Sequence, residues 1–392
     1  MRRPAKIVFW PAAGLIVWTQ VGYALALVAL VRASGRRASG RREPPGHGAP
    51  VPVEHAPQVS LIVAAHDEEG IIGEKVAEAL AQDYPPGRLE VVVSCDGCSD
   101  ATAARAREAG ADLVLELPRA GKVRAQDAGV AAARGELVAF SDANARWEPD
   151  ALARLVDAFT DPRVGYACGQ VRFVQAGAGA GATNQEGLYW RYETAVRALE
   201  SRLGSITAGN GAIYATRREA YMVVDAVMGH DLSFPFNMVK RGWRAVYVPA
   251  ARASEKMVPS IAGEFARKRR MMSHTWPIVL RGGMLSPRGY GPGYAAMIVS
   301  HRLLRYLTPG LHVLALAGSL YLAGDRAGRV YDAALLAQLV VLAGGALAAA
   351  LPARPLLIAR YYVLTTSSPA AGLWDWLRHG TTAGWEAAEG TR

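Results

Sequence analysis

The run SLIVAA at 60–65 carries no charge and is followed at once by the polar cluster HDEE at 66–69. The same junction recurs: EVVVSC at 90–95 precedes DGCSD at 96–100, DLVLEL at 112–117 precedes GK at 121–122, and ELVAFS at 136–141 precedes DAN at 142–144. Most of these β-rich runs lead into Ala-, Glu- and Arg-rich segments of helical character, so the order reads β-α-β-α-β-α-β. Short buried strands joined by crossover helices predict an α/β fold, a mostly parallel sheet with helices on both faces. Ligands of such sheets sit beyond the carboxyl ends of the strands, so the four polar clusters are expected to face one crevice.

The chemistry of that crevice is carboxylate-rich. No G-x-G-x-x-G follows the first strand and no G-x-x-x-x-G-K-[ST] occurs in the chain, which argues against hydride transfer and P-loop hydrolysis. Carboxylates at strand ends suit ribose hydroxyls and a divalent cation, and Lys122 suits a phosphate as a point charge. One acid at a strand end means little; the repetition at successive strand ends carries the signal. Cys95-Asp-Gly-Cys98 has a metal or redox spacing, but zinc generally needs a second pair and Cys168 is distant in sequence, so Cys98 is read as a small turn residue. AGAGAGA at 176–182 reads as a flexible connector rather than a phosphate loop.

In this order the motifs resemble the nucleotide-sugar half of glycosyltransferase family 2, a GT-A (Rossmann-like) fold. AAHDEE, CDGCSD, GKVRAQDAG and FSDAN stand where that family has P-x-N-E-E, D-D-G-S-x-D, G-K-x-x-A-x-N-x-G and D-A-D. GNGA at 209–212 resembles the acceptor-side glycine segment, GHD at 229–231 the E-D or D-D pair, and RKRR at 267–270 the Q-x-x-R-W or R-K-x-R segment. The likeness covers about 59–276. It implies that Asp67, Glu68 and Asp96 hold the nucleoside, Lys122 the base or diphosphate, and Asp142 ribose and metal. Asp231 would be the general base, Arg267 and Arg270 would stabilise the leaving diphosphate, and Asn210, Gly211 and His230 would lie on the acceptor side. A metal, Mg²⁺ or Mn²⁺, would sit at Asp142 and Asn144, with Asn144 one anionic ligand short of D-A-D. Further departures are His230 before the base, Asp67 and Asp127 for Asn, and Met271 in place of Trp, with Trp276 five residues on.

Outward from the soluble pattern the chain turns apolar. Residues 7–31 are 25 positions without a charge, long enough to span a bilayer and too long for a signal h-region, although Ala24-Leu-Ala26 offers a cleavage-like triplet. Arg32, Arg36, Arg37, Arg41 and Arg42 behind it outnumber Arg2, Arg3 and Lys6 in front, which places the downstream domain in the cytoplasm. Residues 306–324 and 333–353 read as a transmembrane hairpin, and 355–377 as a span, a re-entrant segment or an interfacial helix. Residues 185–202 read as an amphipathic helix whose main role is core packing. Lys and Arg total 44 against 34 Asp and Glu, a net +10 that suits anionic lipid; nucleic acid is not expected, because no recognised module accompanies the basic residues. Three cysteines exclude a disulfide scaffold.

These readings divide the chain into an N-terminal transmembrane anchor (1–32), a basic linker (33–57), a GT-A domain (58–281) and a C-terminal membrane region (282–392). The expected function is an inverting transfer from a nucleotide-sugar to a lipid-linked or growing glycan acceptor, by a multi-pass protein of the inner membrane that contacts membrane lipid. The rival readings are a processive polysaccharide synthase and a non-catalytic nucleotide-sugar-binding scaffold of a glycan assembly complex.

Overall fold

The computed structural model describes residues 2–37, 56–174, 183–256, 258 and 260–384. Most of the basic linker and the whole of the 176–182 connector lie outside these residues. Helices α1 (Arg2–Val17) and α2 (Tyr23–Arg37) join through a π-helical turn at Trp18–Gly22, so that Arg2–Gly35 runs as one helix.

An eight-stranded sheet follows, in the order β3-β2-β1-β4-β7-β6-β8-β5. Its first half is parallel: β1 (Val59–Ala65), β2 (Leu89–Asp96), β3 (Leu113–Leu117) and β4 (Leu137–Asp142). The crossovers are α3 (Ile72–Leu80), α4 (Thr102–Glu108) and α5 (Lys122–Ala132). Every residue of β1 is buried, as a central parallel strand covered on both faces requires, whereas β3 at the edge is half-exposed. Strand alternation splits the core: Leu61 and Val63 pack into one layer, and Ile62 joins Val92, Phe140, Tyr166 and Tyr214 in the other.

The second half is mixed, a departure from the simple parallel reading. It comprises β5 (Arg146–Trp147), α6 (Ala151–Asp157), β6 (Val164–Val174), α7 (Thr183–Leu203) and β7 (Ile213–Arg217), then α8 (His230–Lys240), β8 (Arg244–Lys256) and α9 (Ile261–Leu280). Strand β7 runs antiparallel to both β4 and β6, while β6 and β8 are parallel with register shifts after Val164 and after Cys168. On α7, Trp190 packs edge-on to Phe173 at 5.2 Å and donates to the Val171 carbonyl at 2.8 Å, which seats the helix on β6.

Helix α10 (Pro292–Met297) passes through a π-helical turn, Ile298–Leu303, into α11 (Leu304–Gly324); α12 (Arg329–Leu347) and α13 (Arg354–His379) complete the chain. Among the described residues three helices are long and apolar enough to cross a membrane: Arg2–Gly35, Pro292–Gly324 and Arg329–Leu347. The expected 306–324 segment is thus the end of a longer helix, and the expected 333–353 segment starts earlier and stops at Leu347, ahead of the helix-breaking Pro352. Large apolar side chains such as Val313 (67% exposed) and Leu336 (63%) point away from the protein, as lipid-facing residues do. Helix α13 joins the hairpin to the soluble domain. Near its start Ala359 and Leu356 pack on Gly344, and near its end Gly372 meets Met272 and the Arg269 carbonyl so closely that no room is left for a Cβ there. Trp276 Nε1 donates to the Pro369 carbonyl at 2.9 Å, and Arg269 pairs with Asp375 at 2.6 Å.

Candidate functional site

Strand register gathers the acids. Ala65 pairs with Cys95 and Ala64 with Asp142, so the residues that end β1, β2 and β4 emerge side by side on one edge of the sheet. Lys122 opens α5, and its ammonium is ion-paired with the Asp142 carboxylate. Gly211 comes from the loop before β7, and a Cβ there would stand 3.4 Å from Lys122 Nζ and 3.7 Å from Asp142 Oδ2. The glycine lets the backbone pass close over the ion pair.

Asp231 lies in the first turn of α8, where the helix dipole favours an anion. Burial nevertheless raises its pKa; Lys122 opposes that rise and Asp142 adds to it. Lys122 therefore answers to Asp142 and Asp231 together, and its own pKa is raised because these acids more than offset its desolvation. The Asp231 carbonyl also accepts the Gly209 N–H at 2.7 Å, which ties the glycine segment to the helix.

The sequence motifs did not single out Glu255, near the end of β8. Its pKa is pushed up to about 7, by burial first and by Asp142 second, against Lys122 and Arg267. Nothing in its local sequence marks it; only the sheet, which sets β8 beyond β6 and β7, brings it to the Asp142 side. Asp142 helps raise the proton affinity of Glu255, so the two carboxyl groups lie on the same side of the crevice. That donor set, with the Asn144 amide two residues after Asp142, fits a hard divalent cation such as Mg²⁺ or Mn²⁺.

The remaining predicted residues divide into those at the crevice and those that shape it. Asp96 is 1% exposed, and its carboxylate accepts from the Ala120 N–H at 2.6 Å and the Gly121 N–H at 3.0 Å, so it holds the loop that presents Lys122. Asp67 has φ +50° and its Oδ1 accepts from the Ser99 N–H at 2.7 Å, a bond that lowers its pKa and links the first two polar loops. Glu68 is buried beneath that loop, with its backbone N–H donating to Thr102 Oγ1 at 2.8 Å. Asn210 is buried: its Nδ2 donates to the Gly169 carbonyl at 2.7 Å and its Oδ1 accepts from Ile213 N–H at 2.9 Å, which folds the turn around Gly211.

His230 faces the core instead of an acceptor. Its Nδ1 is 2.8 Å from the Tyr214 hydroxyl and its ring stacks 4.0 Å from Phe234. Burial and then Lys122 push its pKa down to about 3, so it stays neutral beside Asp231. Of the basic run, Arg267 leans toward Glu255 electrostatically while pairing with Glu264 at 2.8 Å. Lys268 also pairs with Glu264, Arg269 reaches α13, and Arg270 is exposed near His274. Trp276 is 4% exposed and packs under α13, so it offers no open platform.

A family model described as "Glycosyltransferase like family 2" matches residues 57–273. An N-acetylglucosaminyltransferase of Rhizobium meliloti is 28% identical over 239 residues, covering 56% of each chain. A beta-monoglucosyldiacylglycerol synthase of Synechocystis is 34% identical over 167 residues, 40% of this chain and 33% of that protein. The chain spans about half the length, or less, of these curated relatives. A solved mannosyltransferase from Pyrobaculum calidifontis, in complex with GDP-Man and Mn²⁺, superposes with a TM-score of 0.67 over 95% of this chain and 99% of that one at 23% identity, a likeness of fold.

Proposed function

The chain belongs to glycosyltransferase-like family 2, and on that premise we propose that it is a membrane-bound enzyme that moves a sugar, with inversion, from a nucleotide-sugar to a lipid-linked or growing glycan acceptor. The observation that carries this reading is the half-buried cation Lys122, ion-paired with Asp142 and electrostatically coupled to a base-like Asp231 at the carboxyl edge of the sheet. Asp231 takes the proton of the acceptor hydroxyl, and the oxygen attacks the anomeric carbon opposite the departing nucleoside diphosphate. The bond to the diphosphate oxygen breaks, and its electron pair leaves with the diphosphate. Lys122 and Arg267 stabilise that leaving charge. Asp67, Glu68 and the loop held by Asp96 form the nucleoside end; Asn210 and His230 act on the acceptor side only by shaping the turn and the helix start.

Asp142, Asn144 and Glu255 would hold Mg²⁺ or Mn²⁺, which supplies further charge neutralisation to the diphosphate. GDP-Man and Mn²⁺ in the Pyrobaculum calidifontis relative support a nucleotide-sugar donor and a divalent ion here. The diacylglycerol named for the Synechocystis relative supports a lipid-borne acceptor, and the three apolar helices support a multi-pass protein of the inner membrane whose domain faces the cytoplasm and touches membrane lipid.

The test is nucleoside diphosphate release by detergent-purified protein from UDP-, GDP- and dTDP-sugars, with Mg²⁺, Mn²⁺ or EDTA, and with membrane lipid extract as acceptor source. Turnover of one donor, abolished by EDTA, is the expected result. A donor that binds without turnover makes the protein a scaffold; binding of none removes the donor assignment.

A further inference from the structure

Cys98, read from the sequence as a small turn residue, gains two neighbouring ligands in three dimensions. Because Ala65 pairs with Cys95, the residues that follow β1 lie against those that end β2. His66, Asp67 and Cys98 each bring a ligand atom to within 4.8 Å of the others, and among the described residues they are the one such group of three. Cys95 is buried in the sheet core and lies outside that group. We propose that His66, Asp67 and Cys98 form a three-ligand binding site, with a fourth position open to solvent, for a borderline-soft divalent cation of the Zn²⁺ class, separate from the oxygen-rich site at Asp142.

Three features argue for a built site. First, His66 Nδ1 lies 2.8 Å from the Asp96 carbonyl, so it carries the proton and the Nε2 lone pair is directed to the cluster; metal-ligating histidines are oriented by such a bond. Second, Asp67 Oδ1 is fixed by the Ser99 N–H at 2.7 Å, while Oδ2 lies 3.5 Å from His66 Nε2. Neighbouring ligand atoms of a tetrahedral zinc ion stand roughly 3.5 Å apart, so these three ligands close on an ion with shifts of about 1 Å. Third, a sulfur, an imidazole and one carboxylate suit zinc over Mg²⁺ or Mn²⁺, whereas Asp142, Asn144 and Glu255 offer oxygen alone. The exposed Arg119 guanidinium also lies against His66 Nε2 and has to swing aside, which sets a cationic gate on the site.

Binding releases the Cys98 thiol proton and clamps the first polar loop to the second. On the reading given under the proposed function, those loops form the nucleoside end of the donor site, so Zn²⁺ acts as an inhibitor competitive with donor.

The test uses the full chain in detergent, kept reduced with a phosphine and stripped with a chelator. Zn²⁺ is titrated against a chromophoric chelator, and Co²⁺ is added separately to read thiolate-to-cobalt charge transfer and tetrahedral d–d absorption. One equivalent of Zn²⁺ and a tetrahedral thiolate spectrum are expected. Cys98→Ser and His66→Asn, each confirmed to be folded by its thermal transition, should weaken binding by about 100-fold, and Arg119→Ala should tighten it. Absence of stoichiometric uptake, or uptake and spectrum unchanged in Cys98→Ser and His66→Asn, overturns the proposal. Failure of the donor reading would leave Zn²⁺ uptake intact, with no nucleotide-sugar for it to displace.

Discussion

Two clusters of buried charge lie either side of the segment from Thr207 to Gly211, and they are built to opposite ends. In the membrane-side cluster, His301 Nε2 meets Glu193 at 3.0 Å and Nδ1 meets Glu200 at 2.7 Å. Tyr23 from the N-terminal helix donates to Glu200 at 2.6 Å, and Arg302 Nε donates to Thr207 Oγ1 at 2.9 Å. Burial pushes both glutamates up, but Arg305 and His301 at Glu193, and His301 and Arg302 at Glu200, more than offset it and leave both pKa values lowered. In the crevice, burial raises Asp231 and Glu255 and the cations only partly oppose it. Compensated charges brace two apolar helices against α7; under-compensated charges await a substrate, a proton or a cation.

Altering each cluster should therefore fail differently. The largest effect is expected for Asp231→Asn: turnover falls by roughly 10²- to 10⁴-fold, the span of a positioned general base, while donor affinity measured by titration calorimetry stays within a few-fold. If activity survives, the crevice is no different in kind from the brace. Glu193→Ala breaks the brace by removing the buried acid that faces His301, Arg302 and Arg305, so detergent-solubilised protein should lose about 3–5 kcal/mol in its unfolding transition.

Glu255→Gln should do the reverse and stabilise. A carboxyl raised from 4.5 to about 7 on folding contributes stability below pH 4.5 that is lost as pH climbs toward 7. Without divalent cations, the variant should gain up to roughly 3 kcal/mol over wild type at pH 8 and nothing near pH 4. Equal stability at both values would mean that Asp142 and Glu255 do not share an under-compensated site. The smallest effect is expected for Asp375→Asn, which removes the partner of the exposed Arg269: within about 1 kcal/mol by thermal melting, because such pairs are screened by water.

The parallel half of the sheet was legible because β1 to β4 are apolar runs that each end in a polar cluster, a pattern set by burial on both faces. The mixed half was not. Strands β6 and β8 carry charged and half-exposed residues and owe their place to partners far along the chain. Asp142, Lys122 and Asp231 were marked by motif, yet Asn210, His230 and Asp96 show that a motif position also serves to shape backbone. Glu255 and the Glu193–Glu200 brace had no sequence signal, since Asp142 lies 113 residues from Glu255 and His301 lies 101 from Glu200.

The most direct test of the account is the pH dependence of donor turnover in wild type and Asp231→Asn under saturating donor and acceptor. A base raised above the ordinary aspartate value of 3.8 predicts a rate that climbs with pH through that elevated pKa, and a variant that has lost both the rate and this acid limb. An Asp231→Asn enzyme that keeps the wild-type rate with the same acid limb would assign the proton to another group and contradict the account.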